Sequence, residues 1–116
     1  MLNPHSELVN KVLLKIGSLD FVRVWKNNTG TAIAMDGNRI IKYGLPGSAD
    51  ITGILLNKSG LGIRIEIEIK TGRAILNKKQ KNFKKMILGL GGLYLLCRHE
   101  DEAFDFVMQV RSSNEV

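Results

Sequence analysis

Cysteine is almost missing from this chain: Cys97 stands alone among 116 residues, which excludes an intrachain disulfide and argues against a thiolate-based zinc site. Long apolar runs are missing too. The longest, such as Ile54 to Leu56 and Leu93 to Cys97, fall far short of the roughly 18 residues that cross a bilayer. Met1 to Glu7 lacks a basic segment followed by an apolar run and a small-residue cleavage site, so no secretory signal is expected and the reading is a cytoplasmic protein. There is no internal repeat and no low-complexity stretch. Hydrophobic residues at 44% and charged residues at 24% are ordinary values, so disorder and fibrous architecture are excluded and one domain over 1–116 is expected.

Acidic residues are the scarcer charge, eleven against seventeen Lys and Arg, giving a net charge of +6. The excess is local. Residues 58–85 carry nine basic and two acidic groups, whereas residues 98–116 carry two and five. A basic segment of this kind attracts phosphate backbones by steering and counterion release, although a solvated lysine face has the same composition.

The pattern along the chain predicts alternating elements. Asn3-Pro4 and Ser6 open a helix over residues 3–17, with Leu8, Val9, Val12, Leu13 and Ile16 at helical spacing. Phe21 to Lys26 reads as a strand closed by Asn27 to Gly30. Ala32 to Met35 and Arg39 to Tyr43 read as a hairpin about Asp36-Gly37. Gly44 to Ser48 then interrupts the pattern, and Asp50 opens a run from Ile51 to Leu56 that ends at Asn57 to Gly60. From Ile63 to Lys70 the residues alternate strictly, with four isoleucines on one face and Arg64, Glu66, Glu68 and Lys70 on the other, predicting a strand with one buried face. Asn77 and Gln80 form an amide capping box for a helix in which Phe83, Met86, Ile87 and Leu90 make the apolar stripe. Gly91-Gly92, a buried strand from Leu93 to Arg98, a helix from Glu100 to Val110 and a frayed tail complete the order.

A hairpin converts this order into contact. If the turn is centred in Asn57 to Gly60, or reaches Gly62, Asp50 faces a position between Ile67 and Lys70. Its carboxylate then lies near Glu68 and the amine of Lys70, which share a face roughly 7 Å apart along the strand. Two carboxylates repel unless a cation sits between them, and hard oxygen donors suit Mg²⁺ or Mn²⁺. With a lysine beside them, they are the parts of a metal-dependent phosphodiesterase.

At these residues the sequence resembles the PD-(D/E)xK nucleases, and more narrowly the VRR-NUC family, particularly its small stand-alone members of phages and bacteria. The matching text is Gly47-Ser48-Ala49-Asp50-Ile51, Ile67-Glu68-Ile69-Lys70-Thr71-Gly72, Gln80 at the start of the basic helix, and Gly91-Gly92-Leu93-Tyr94. Ala49 stands where the family pattern has Pro. The resemblance implies an α/β fold with a restriction-endonuclease-like mixed sheet, order α-βββ-α-β, with an extra N-terminal hairpin and a C-terminal helix. It implies that Asp50, Glu68 and the backbone carbonyl of Ile69 hold Mg²⁺ or Mn²⁺, that Lys70 is catalytic, and that Gln80 and Glu7 support the site. It further implies action on DNA, with branched forms such as four-way junctions as substrates, and a homodimer that pairs two cuts; no organic cofactor and no membrane enter.

Each residue keeps a plainer reading. Glu66, Glu68 and Lys70 also fit the wet face of an amphipathic strand, and Glu66 in particular reads as structural. Glu7 also fits a first-turn carboxylate favouring the helix dipole. Gln80 fits a capping partner that serves one end or both. His5 and His99 read as surface residues, Cys97 as core, and Trp25 and Tyr43 as packing more than stacking platforms. Lys78, Lys79, Lys81, Lys84, Lys85 and Arg73 are the candidate duplex-gripping groups, by backbone and shape and without a base code. The rival function is a non-catalytic nucleic-acid-binding module of the same fold.

Overall fold

The computed structural model describes residues 2–113; of the frayed tail expected after Val110, Arg111 and Ser112 instead continue the last helix and residues 114–116 lie outside the described residues. The chain runs α1 (Pro4–Gly17), β1 (Val22–Lys26), β2 (Gly30–Ile33), β3 (Ile40–Tyr43), β4 (Ile51–Leu56), β5 (Gly62–Ile69), α2 (Lys78–Gly89), β6 (Leu93–Cys97) and α3 (Glu100–Ser112). It is a mixed α+β fold with a four-stranded sheet in the order β1-β4-β5-β6. β1 and β5 run antiparallel to β4, whereas β6 runs parallel to β5 through the α2 crossover. The hairpin β2-β3 forms a separate two-stranded sheet. It is inserted between β1 and β4, and so is not an N-terminal addition to the core.

The helix starts follow their caps. The Asn3 side chain accepts from the Ser6 N–H at 2.8 Å with Pro4 in the first turn, and at α2 both bonds of the Asn77/Gln80 capping box are made at 2.9 Å. Helix α3 is capped by His99 and Glu102.

One face of the sheet carries the main core. Val12 and Ile16 of α1 and Ala103 and Val107 of α3 pack on Ile51, Leu55, Ile65, Ile67 and Ile69, all of them buried. The opposite face carries a smaller cluster in which Phe83 and Ile87 of α2 meet Ala49 and Tyr94. This second layer overturns the expectation of a strand with one buried face: Glu66 and Glu68 are only 1% and 4% exposed. Alternation distinguishes two faces but is silent on whether the polar one is covered, and here the crossover helix covers it. The α2 stripe is correspondingly narrower than expected, since Met86 and Leu90 remain exposed and only Phe83 and Ile87 reach the sheet.

The hairpin boundaries also shift. Ala34 and Met35, expected in the strand, belong to the turn, where Ala34 N–H bonds Arg39 carbonyl and Gly37 N–H bonds Ala34 carbonyl, each at 2.8 Å. Asp36-Gly37 still forms the tip: the Asp36 carboxylate accepts from Asn38 N–H, and Gly37 has φ +74°, a left-handed conformation suited to glycine. No helix among the described residues is long and apolar enough to cross a membrane.

Candidate active site

The β4-β5 register places Ile51 opposite Ile67, and continued by one residue it sets Asp50 opposite Glu68. This falls inside the interval expected from the turn. Asp50 lies at the mouth of β4, where its carboxylate accepts a 2.8 Å hydrogen bond from the Ile69 backbone N–H. Glu68, from the adjacent strand, accepts from the Gln80 side-chain amide at 2.9 Å and lies 3.5 Å from the Lys70 ammonium. Asp50, Glu68, Lys70 and Gln80 are thus gathered at one corner, from the ends of two strands and the start of α2.

Gln80 works at both ends. Its amide oxygen accepts from Asn77 N–H in the capping box, which leaves the amide nitrogen to donate to Glu68. The cap therefore fixes which end of the amide faces the carboxylate.

The backbone that presents Asp50 is equally constrained. A Cβ on Gly47 would stand 2.3 Å from the Lys79 carbonyl oxygen, and the residue has φ +76°, so the loop before Asp50 lies directly against the first turn of α2. From the other side, the Asn27 side-chain amide donates to Ser48 Oγ and Ala49 O at 3.0 Å, and Asn27 N–H bonds Asp50 carbonyl at 2.8 Å. Beyond Lys70, Arg98 holds the loop to α2 through the carbonyls of Gly72 and Ala74.

Burial and the neighbouring Asp50 charge push the Glu68 carboxyl up to about 7, against the opposing pull of Lys70. Tyr94, beneath the pair, is raised by burial and by the carboxylates of Glu68, Asp50 and Glu66. Two carboxylates this close, one of them buried, favour a cation beside them, and Lys70 already supplies one charge. The donor chemistry fits a hard divalent cation, which takes one or two carboxylates and keeps its remaining ligands as water and substrate oxygens. Among the described residues no three His, Cys, Asp or Glu side chains form a closed metal cage, so the fit is to an open site of two carboxylates.

Other candidates are placed differently. Glu7 is exposed on the first turn of α1 and makes none of the bonds that link the cluster. Its neighbour His5, read from the sequence as a surface residue, instead brings Nε2 to 3.2 Å from Asp50 Oδ2. Nothing local in the sequence signals this, because the contact depends on how α1 lies across the sheet end. Glu66 is buried and receives Arg64 Nε at 3.4 Å, consistent with a structural carboxylate. Cys97 is fully buried and its thiol is pushed up to about 11 by burial, as befits a core residue. His99 is exposed and caps α3.

Lys78, Lys79, Lys81 and Lys85 are exposed, as is Arg73 on the preceding loop, while Lys84 is half-buried with its ammonium 5.8 Å from the Tyr94 ring centre. The first turn of α2 holds no acidic residue, so its lysines stand at the positive end of the helix dipole. That unfavourable placement favours an external anion at this end of α2, beside Glu68. No protein-family model matches the chain, and no curated protein matches it.

Proposed function

We propose that this protein is a Mg²⁺- or Mn²⁺-dependent DNA endonuclease with a restriction-endonuclease-like core, of the VRR-NUC type. The observation that carries the reading is the convergence of Asp50 and Glu68, with Lys70 and Gln80 bonded to Glu68, in a corner where burial drives Glu68 up to about 7. A binding module has no use for paired carboxylates that repel the phosphates it holds.

In this mechanism Asp50 and Glu68, with the carbonyl of Ile69, would hold the cation. When bound, the cation offsets the negative charge that builds on the phosphate and makes water a better nucleophile at neutral pH. The Ile69 N–H fixes the Asp50 carboxylate, and Gln80 fixes that of Glu68. Lys70 sits where its ammonium can orient the attacking water or donate to the non-bridging phosphate oxygen. The exposed lysines of α2, with Arg73, grip the flanking backbone without reading bases. Branched DNA such as a four-way junction is the proposed substrate, and a homodimer, supplying two such corners, would pair the two cuts.

The test is a labelled panel of four-way junction, flap, linear duplex and single strand, incubated with Mg²⁺, Mn²⁺ or EDTA, with Lys70→Ala alongside. The expected result is metal-dependent cutting, strongest on the junction, reduced by about 100- to 1,000-fold in Lys70→Ala. Binding of the junction without cutting in any metal would replace the nuclease by the binding module.

A further inference from the structure

The β1 edge of the sheet carries a second set of groups aligned with this corner. In β1, Val22 and Val24 turn toward the main core, so Arg23 and Trp25 lie on the opposite face. The register sets Trp25 opposite Thr52, which is opposite Glu66, and sets Arg23 opposite Ile54, which is opposite Arg64. This is the face of Glu68. Successive rows on one face are about 7 Å apart and strands about 5 Å apart, so Trp25 lies one row from the carboxylate pair and two strands across. Arg23 and Arg64 lie one row further on.

Trp25 is 48% exposed, and among the described residues its ring has no aromatic or cationic partner. Helix α2 packs on Tyr94 of β6 and on Ala49 at the entry to β4, and Thr52, between Trp25 and Glu66, is buried, but at the β1 edge Trp25 and Arg23 are exposed, as are Arg64 and the half-exposed Ile54 between the two arginines. The exposed charges here are Arg23 and Arg64, since Glu66 is buried and holds Arg64 at 3.4 Å. A second copy seated symmetrically on this face would set arginines against arginines. A nucleic-acid strand matches it, offering a base to the indole and phosphates to the guanidinium groups.

We propose that Trp25 is a stacking platform for an unpaired base of the strand whose scissile phosphate lies at the Asp50–Glu68 corner, and that Arg23 and Arg64 hold the phosphates beyond it. The inference rests on the nuclease reading for the placement of that phosphate. It gives the enzyme a physical preference for strands with unstacked bases, as at branch points and single-stranded ends, since an indole has no access to the face of a base inside a duplex.

Trp25 is the only tryptophan, so its emission reports the event directly. Wild-type protein in EDTA is titrated with a 12-nucleotide oligo(dT), with a blunt duplex, and with buffer over a range of protein concentrations. The expected result is quenching by oligo(dT), little change with the duplex, and affinity that falls as salt rises. Trp25→Ala should weaken oligo(dT) binding, followed by anisotropy of a labelled strand, by roughly 5- to 150-fold. Trp25→Phe should retain part of it, and Arg23→Ala with Arg64→Ala should lower the salt dependence. In Mn²⁺, Trp25→Ala should raise KM more than it lowers kcat on the junction.

Binding of oligo(dT) with unchanged emission would overturn the proposal, as would unaltered affinity in a folded Trp25→Ala protein. An emission change that follows protein concentration without DNA would also overturn it, and assign the face to a second copy. Quenching and its loss in Trp25→Ala without cleavage in any metal would uphold the stacking site and defeat the nuclease reading. Cleavage with unchanged KM in Trp25→Ala would do the reverse.

Discussion

Replacing Glu68 with Gln should stabilise the metal-free protein at pH 8, although Glu68 is central to the proposed chemistry. Glu68 is 4% exposed and faces Asp50, and its carboxyl is pushed from an ordinary 4.5 to about 7. A carboxyl with a raised folded-state value binds its proton more tightly in the folded protein. Its stabilising contribution is therefore complete below about pH 4.5 and is lost as the pH rises through about 7. At pH 8 the folded chain carries the full penalty of an ionised Glu68, on the order of 3 kcal/mol at 1.36 kcal/mol per unit. Gln keeps the shape and the polarity without the charge, but it deprives Lys70 of its ion-pair partner, so a net gain of about 1–3 kcal/mol is expected. Urea unfolding in EDTA at pH 5 and pH 8 measures it. The gain should appear at pH 8 and shrink toward zero at pH 5, where wild-type Glu68 is itself neutral. A variant less stable than wild type at pH 8, or equally stabilised at both pH values, would refute the argument that burial and Asp50 strain this carboxylate.

Other substitutions test the parts that build the site. Gly47→Ala should destabilise by about 2 kcal/mol or more and abolish cleavage, because its Cβ would lie 2.3 Å from the Lys79 carbonyl at φ +76°; the urea midpoint and the junction assay check both. Gln80→Glu preserves the cap acceptor but sets a carboxylate where the amide donates to Glu68 at 2.9 Å, so metal-free stability should fall more steeply between pH 5 and pH 8 than in wild type. Ile67→Ala, at a fully buried position under α1 and α3, should cost about 2–5 kcal/mol in chemical denaturation. Cys97 should resist a thiol reagent at pH 8 while the protein is folded and react on addition of denaturant, since its thiol is buried and pushed up to about 11.

Much of this arrangement was legible because it rests on local signals. The alternation of β5 and the turn after Leu56 together imply the register that sets Asp50 opposite Glu68, and the Asn77/Gln80 spacing implies the cap that turns Gln80 toward it. What escaped depends on how the elements stack. The polar face of β5 looked wet because no pattern within the strand reveals that the crossover helix will cover Glu66 and Glu68. The contact between His5 and Asp50 depends on where α1 crosses the sheet end, not on the spacing of α1 itself. Met86 and Leu90 obey helical periodicity yet stay exposed, because α2 meets the sheet only through Phe83 and Ile87. Trp25 read as packing because its exposure follows from the place of β1 at the edge of the sheet, a property of topology and not of the strand.

The central claim, that Asp50, Glu68 and Lys70 form a cation-dependent centre for phosphodiester hydrolysis, is tested most directly by one cleavage measurement. Supercoiled plasmid and a labelled four-way junction are each incubated with wild-type protein in Mn²⁺, wild-type protein in EDTA, and Asp50→Asn in Mn²⁺, with folding of the variant verified by circular dichroism. The account predicts cutting in the first arm alone. Cutting that survives EDTA, or that the folded Asp50→Asn protein performs as well as wild type, would contradict it.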